Sequence, residues 1–260
     1  MISQWLERFR QSRRDRAIAR HKKHIKNKFG QGEDRYKAIE FFKGLGGEAG
    51  CEGLLERFMV NVEPSIRDEE EKEEVYNILV GFGPVAVSAI EKYLNRKDSA
   101  TVPVMWPLKV LTAVATPEQA VGVIRRTLEA MGTSYVREPE RKVLLVGQLA
   151  EYDTPEVVPT LLPFLRDHRD EVQLEAISAL CRKADERARE PLLELLVDPD
   201  TPVRVRAAVA DALQKLGWPV KGYRKRVEEV LPEGFSVDRS GHIKGRWIYA
   251  PTEQGDEQKG

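Results

Sequence analysis

Apolar residues fall at helical spacing through most of this chain, and between Thr154 and Gly217 the spacing occurs twice over. The first copy reads PEVVPTLLPFLRDHRDEVQLEAISALCRKAD and the second RAREPLLELLVDPDTPVRVRAAVADALQKLG. Val158, Leu161, Leu162 and Leu165 stand at i, i+3, i+4 and i+7 on a first helix, and Val172, Ala176, Ala179 and Leu180 mark a second. Leu161, Leu162, Phe164, Leu165 and Asp167 recur 31 residues later as Leu192, Leu193, Leu195, Leu196 and Asp198. Val172, Ala176, Ile177, Ala179 and Leu180 recur 33 residues later as Val205, Val209, Ala210, Ala212 and Leu213. The difference in offset places a two-residue insertion in the second copy's turn, near Thr201 and Pro202. One such hairpin has too little apolar surface to fold alone, so the repeat predicts a stack of hairpins.

The same rhythm continues upstream in weaker form. Helices are expected from Arg35 to Leu45 and from Glu48 to Phe58, then from Asp68 through the acidic run DEEEKEE to about Val80. Further helix starts fall at Pro84, Pro117, Pro155 and Arg187, at intervals close to the repeat length. Trp106 sits between Pro103 and Pro107, where it either lines a pocket or fills a gap opened by proline. Beyond Gly217 the pattern changes: a short helix over Tyr223–Leu231 is followed by Phe235–Val237 and His242–Lys244 alternating around a turn, which predicts a β-hairpin. Trp247, Ile248 and Tyr249 are expected to pack back. The predicted division is a basic amphipathic N-terminal helix over 1–30, a solenoid over 31–217, a helix and β-hairpin cap over 218–250, and a disordered tail over 251–260.

The repeats resemble HEAT-like repeats of the phycobilisome-lyase type, whose pattern is an apolar helix, an Asp turn and then Val-Arg-x-x-Ala-Ala-x-Ala-Leu. The second copy supplies Val205-Arg206, Val209-Ala210 and Ala212-Leu213; the first has Gln173 in place of the Arg. The ending Leu231–Phe235 and the basic start are similar to proteobacterial HEAT-repeat proteins, which are described by their repeats. The resemblance implies an all-α fold, a right-handed α-solenoid of about five hairpins with the small C-terminal β-hairpin as cap. It also implies that Asp167, Asp198, Asp200 and Arg206 serve the turns between helices. In such repeats second helices line the concave face, so their polar positions Arg141, Gln148, Gln173, Arg182, Arg206 and Gln214 are the candidate protein contacts.

Charge changes the picture at one end. The whole chain balances 42 basic against 42 acidic residues, yet residues 1–30 hold ten Lys/Arg against Glu7 and Asp15. Arg13, Arg14, Arg16, Arg20, Lys22, Lys23, Lys26 and Lys28 form the candidate basic patch. Ile2, Trp5, Leu6 and Phe9 make an apolar stripe beside it, loosely continued by Ile18, Ile25 and Phe29. Three readings stay open for this segment: a cap docked on the first repeat, a helix for an anionic membrane surface or protein, and a nucleic-acid contact. His21 and His24 are three residues apart, too weak a set for a metal.

No phosphate-binding loop, dinucleotide fingerprint, zinc-protease or CxxC motif, or hydrolase elbow is present in the sequence. Two cysteines without motif spacing, no long apolar run and no leader-like start point to a cytoplasmic protein. The expected function is a protein-interaction scaffold or adaptor, without catalysis, cofactor or metal. The alternatives are a nucleic-acid or membrane-surface adaptor working through residues 1–30, and an enzyme of DNA-glycosylase-like or lyase-like type on the repeats.

Overall fold

The computed structural model describes residues 2–96 and 102–246, with side chains at all of these except Ile2, Ser3, Gln4 and Leu6. Several expectations fall outside the described residues: the side chains of Ile2 and Leu6, most of the turn after Asn95, the packing of Trp247, Ile248 and Tyr249, and the tail over 251–260. Thirteen α-helices, three short 3-10 segments and one two-stranded sheet make up the regular structure among the described residues. The fold is all-α and built of helical hairpins, with a small β-hairpin near the C-terminal end. The chain divides into two compact units, Met1–Gly132 and Thr133–Gly260.

The first unit holds α1 (Ile2–Ile25), α2 (Gly32–Leu45), α3 (Gly47–Leu55), α4 (Ser65–Phe82), α5 (Val85–Leu94), α6 (Met105–Val114) and α7 (Pro117–Met131). Two layers form. α1, α3, α5 and α7 pack side by side in sequence, and α4 packs on α6 in the other layer, with α2 against α1 and α3. The α2–α3 corner is tight because Gly46 and Gly47 both take positive φ, 63° and 57°, where side chains with a Cβ are strained. Gly53 lets the two helices close up, since a Cβ there would overlap the Phe42 ring. α7 starts on a full capping box: Thr116 accepts from the Gln119 amide, and the Gln119 side chain accepts from the Thr116 amide.

The second unit holds α8 (Glu140–Leu149), α9 (Val157–Leu161), α10 (Asp170–Lys183), α11 (Arg189–Val197), α12 (Val203–Leu216) and α13 (Arg224–Val230), then β1 (Phe235–Val237) and β2 (Ile243–Gly245). Here α8, α10 and α12 make one layer, and the first helices of the hairpins and α13 make the other. The two sequence copies are the hairpins α9–α10 and α11–α12. The turn between α11 and α12 is longer than its counterpart by the two residues inferred from the offsets. The first helix of copy one departs from the expected continuous α-helix. It turns into a 3-10 segment over Leu162–Arg166, because Pro163 has no amide hydrogen to continue the α ladder. Phe164 goes inside as a result, 4% exposed.

β1 and β2 pair antiparallel in the register Phe235↔Gly245 and Val237↔Ile243. Asp238 fixes the turn by accepting from the amides of Ser240 and His242 and from the Ser240 hydroxyl, which holds its carboxyl down at about 2. The sheet closes on α12 and α13. The Val220 amide donates to Gly241 O at 2.8 Å, and the Arg189 guanidinium reaches Pro219 O.

Several large apolar residues lie outside, among them Phe29, which spacing placed in line with the apolar stripe of residues 1–30. Phe29 is 88% exposed, and Tyr36, Val85 and Leu144 are also exposed. Trp106 is half-buried: it stacks on Phe58 at 5.8 Å, tilts against Tyr76, and carries Lys109 over its ring. It fills the space between α6, α4 and the 3-10 turn after α3. Cys51 is fully buried, and burial pushes its thiol up to about 11.

The acidic start of α4 is not a uniform solvated run. Asp68, Glu71 and Lys72 stand at i, i+3 and i+4, so one face of the helix carries all three inward. There they meet Arg35 of α2 and Arg57 of the 3-10 turn, 3% and 0% exposed. Arg35 grips Glu71 through two nitrogens, both at 2.9 Å, and caps Gly30 O. Arg57 donates to Glu71 Oε2 at 2.9 Å, Asp68 Oδ1 at 2.7 Å and Val60 O. Lys72 reaches Asp68 and Asn61, each at 2.6 Å. Burial works to raise both carboxyls, but the hydrogen bonds from Lys72 and Arg57 on Asp68, and from Arg35 and Arg57 on Glu71, hold them below their ordinary values.

Removing one partner from such a set leaves charge buried and uncompensated. Glu71→Ala is expected to lower unfolding stability by roughly 3–5 kcal/mol, while Glu70→Ala, one residue away in solvent, stays within about 0.5 kcal/mol. Urea titration of the two variants checks the difference.

Candidate interaction surface

The six candidate contacts lie on the three helices of one layer of the second unit: Arg141 and Gln148 on α8, Gln173 and Arg182 on α10, Arg206 and Gln214 on α12. Gln173 and Arg206 are equivalent positions, 33 residues apart, near the helix starts, and Cys181 is the counterpart of Gln214 near the other end. Their environments differ. Arg141 is only 7% exposed and presents little surface. Arg206 turns back on its own hairpin, its Nη2 donating to Asp198 O at 2.8 Å and Pro199 O at 2.9 Å. Arg182 is exposed and donates to Ser178 and Glu175 of its own helix. Gln148, Gln173 and Gln214 are half-buried, and Oε1 of both Gln173 and Gln214 is buried from solvent with no hydrogen-bond donor among the described residues.

The turns beside this layer are tied together by charges. Lys142, fully buried, donates to Asp167 Oδ2 at 2.6 Å and to Ser134 O. Arg169 reaches Val136 O and Arg137 O in the preceding turn, and Arg166 bridges to Asp198 at 2.7 Å. That hydrogen bond from Arg166, with the Asp200 amide, holds Asp198 below its usual range. The resemblance implied that Asp167, Asp198, Asp200 and Arg206 serve the turns between helices. Asp167 and Asp198 do serve the turns, but Arg206 works within one turn, and Lys142, Arg166 and Arg169 link one turn to the next. Sequence reading passed over Lys142 because it closes the charged stretch Glu138, Glu140 and Arg141, which reads as solvated; its 25-residue separation from Asp167 leaves no local signal.

The basic patch of residues 1–30 is split by the fold. Lys22 and Lys26 of α1 pair with Glu52 and Glu56 at 3.7 and 3.0 Å. Lys22, Glu52 and Glu56, with Lys92, Tyr93 and Arg96 of the α5 region, edge a cavity of about 260 Å³ that Leu55 and Ala89 also line. Glu56 also takes Arg96, and Lys92 pairs with Glu48 and Glu52, so cations and carboxylates alternate around it. Ile25 is fully buried, and His21 stacks on Phe41 at 4.0 Å. By contrast Arg13, Arg14, Arg16 and Arg20 are exposed, as are Lys23 and Lys28. The two histidine rings are 6.3 Å apart, and His21 is occupied by the Phe41 stack. Among the described residues, no group of three or more His, Cys, Asp or Glu is placed to hold a metal ion, and no helix is long and apolar enough to cross a membrane.

Burial, then the charges of Arg20 and His24, lowers the pKa of His21 below 6.5. A histidine held neutral in the fold binds fewer protons than in the unfolded chain, so its cost is nil above pH 6.5 and appears as pH falls below it. Docking of α1 is expected to loosen first as pH falls below 6.5, before the lowered carboxyls of Asp68 and Glu71 titrate. His21→Phe should remove the upper step. Amide hydrogen exchange of residues 17–25 against pH checks it, and an unchanged profile in the variant refutes the assignment.

Comparison with known proteins adds the following. The family model for HEAT repeats matches residues 137–214 and, overlapping them, 158–229. No curated protein matches the chain. Among solved structures, human deoxyhypusine hydroxylase in complex with glycerol is similar over 83% of this chain and 93% of that one, at 15% identity and a TM-score of 0.28. The expectation that the chain is not an enzyme is corrected by this finding, the matched protein being named as a hydroxylase. A likeness of this size gives the chain no activity in turn. The matched stretch, residues 137–229, covers both sequence copies and the helix before them, and these repeats are HEAT repeats.

Proposed function

We propose that the chain is a protein-interaction scaffold that binds a partner over the layer formed by α8, α10 and α12. Stacked repeats present extended surfaces of parallel helices that suit such binding. The observation that carries the reading is the pair of buried acceptors, Gln173 Oε1 and Gln214 Oε1, left without donors among the described residues. Such a group is costly unless a donor from outside completes it. Gln148, Gln173, Arg182 and Gln214 are the contact residues in this proposal. Arg141 and Arg206 shape the surface from beneath, the second by fixing the Asp198–Pro199 turn. Two free cysteines suit a reducing compartment, the cytoplasm.

The reading of α1 as a lipid-surface helix draws no support from the side chains. Arg8, Arg10, Arg13, Arg14 and Arg16 are spread around the helix, which leaves no broad apolar face to enter a bilayer.

The test is affinity capture with the full chain, followed by the variant Gln173→Ala with Arg182→Glu. A true contact surface is expected to lose its partner by roughly tenfold or more, about 1.4 kcal/mol, at unchanged helicity by circular dichroism. Equal capture by both chains would refute the surface.

A further inference from the structure

α1 is a helix of two halves. From Ala17 to Ile25 it docks on α2 and α3. Every described side chain from Glu7 to Arg16 is exposed, and so is Trp5. Trp5 and Phe9, 63% and 49% exposed, stack on each other at 5.6 Å, and Arg13 leans over Phe9. Among the described residues, none of Arg8, Arg10, Arg13, Arg14 and Arg16 forms an ion pair with a carboxylate. At 3.6 residues per turn, Trp5, Phe9, Arg13, Arg16 and Arg20 fall within about 80° of the helix circumference. They form one stripe, aromatic at its start and cationic along the rest.

The first unit carries the complement of that stripe. The outer face of α4 presents Ile66, Glu70, Glu73, Glu74 and Asn77, again within about 100° of the circumference. Ile66 is 70% exposed. Glu70, Glu73 and Glu74 border an open groove of about 610 Å³ between α4 and Lys43 of α2. Lys43 is the one cation lining the groove, and Glu40 holds it at 3.0 Å. Arg67, the other cation on this side, leans toward Glu71. The inward acids Asp68 and Glu71 are consumed by Arg35, Arg57 and Lys72, so the outward acids are what α4 offers a partner.

The two stripes share a register. Laid parallel, Phe9 meets Ile66, Arg13 meets Glu70 four residues on, Arg16 meets Glu73 and Glu74, and Arg20 meets Asn77. We propose that the exposed half of α1 docks in the α2–α4 groove of a second copy of this chain. The arm's own groove does not receive it, since Arg13 and Arg16 stand exposed and unpaired. The contact is therefore heterologous, arm to groove, and copies associate head to tail. Opposite charges at the contact make it weaken with salt, and the aromatic pair against Ile66 adds a term that salt does not screen. This inference is independent of the partner proposed for the second unit.

Sedimentation velocity of the full chain over a concentration series, at low and high salt and after nuclease treatment, tests it. The sedimentation coefficient is expected to rise with concentration at low salt and flatten at high salt. Arg13→Glu with Arg16→Glu, and separately Glu70→Arg with Glu73→Arg, should each weaken association by roughly tenfold or more. All four residues are exposed or at the groove rim, and helicity serves as the control for folding. Mixing the two double variants should restore association, because each then meets an oppositely charged surface. A wild-type chain that stays monomeric at low salt overturns the proposal, as does association that both variants retain or mixing that restores nothing. Association abolished by nuclease also overturns it and assigns the arm to nucleic acid.

Discussion

A helical hairpin cannot bury its own apolar face, and every other feature of this chain answers to that constraint. Each hairpin covers one neighbour and leaves a surface for the next, so the apolar residues recur at the repeat length. Small residues on the second helices, Ala176 and Ala179 in α10 and Ala207, Ala210 and Ala212 in α12, let those helices lie close together. The end of the last repeat is covered by α13 and the β-hairpin, and the docked half of α1 covers α2 and α3. The cover at the C-terminal end is a different kind of structure from the repeat, as a terminal element must be when nothing further stacks on it.

Stacking brings turns together as well as helices, and turns carry polar groups. The protein resolves this with ion pairs drawn from distant positions. Lys142 enters the core only because Asp167 and Ser134 O meet it there. Arg57 is tolerated at 0% exposure only because Glu71, Asp68 and Val60 O occupy its three nitrogens. Such groups add less net stability than their number implies, since desolvation offsets much of their attraction. What they supply is a penalty for any other arrangement: a slip of one hairpin against the next strands a buried charge.

The same logic separates the polar groups that serve the fold from those left for a partner. Arg206 places its Nη2, and Arg169 its Nη1, on backbone carbonyls of the turns. Gln173 and Gln214, on the same helix layer, keep an acceptor without a donor among the described residues. In α1 the division falls within one helix, with Lys22 and Lys26 committed to Glu52 and Glu56 while the arginines before residue 17 are committed to no carboxylate of the described residues.

The sequence by itself determined the hairpins. The offsets of 31 and 33 residues, the capping Thr116 and the turn signal at Asp238–Gly241 are local or periodic features, and periodicity is a property of the chain. It placed all six candidate contacts on second helices for the same reason. It did not separate Arg141, which is buried, from Arg182, which is exposed, because both occupy polar positions of an amphipathic pattern. Nor did it find that Asp68 and Glu71 point inward while Glu70 and Glu73 point out, or that Lys142 pairs with Asp167. Those outcomes depend on which helix lies opposite. Only the tertiary structure decided them, since the free energy of a buried charge is set by partners far away in sequence.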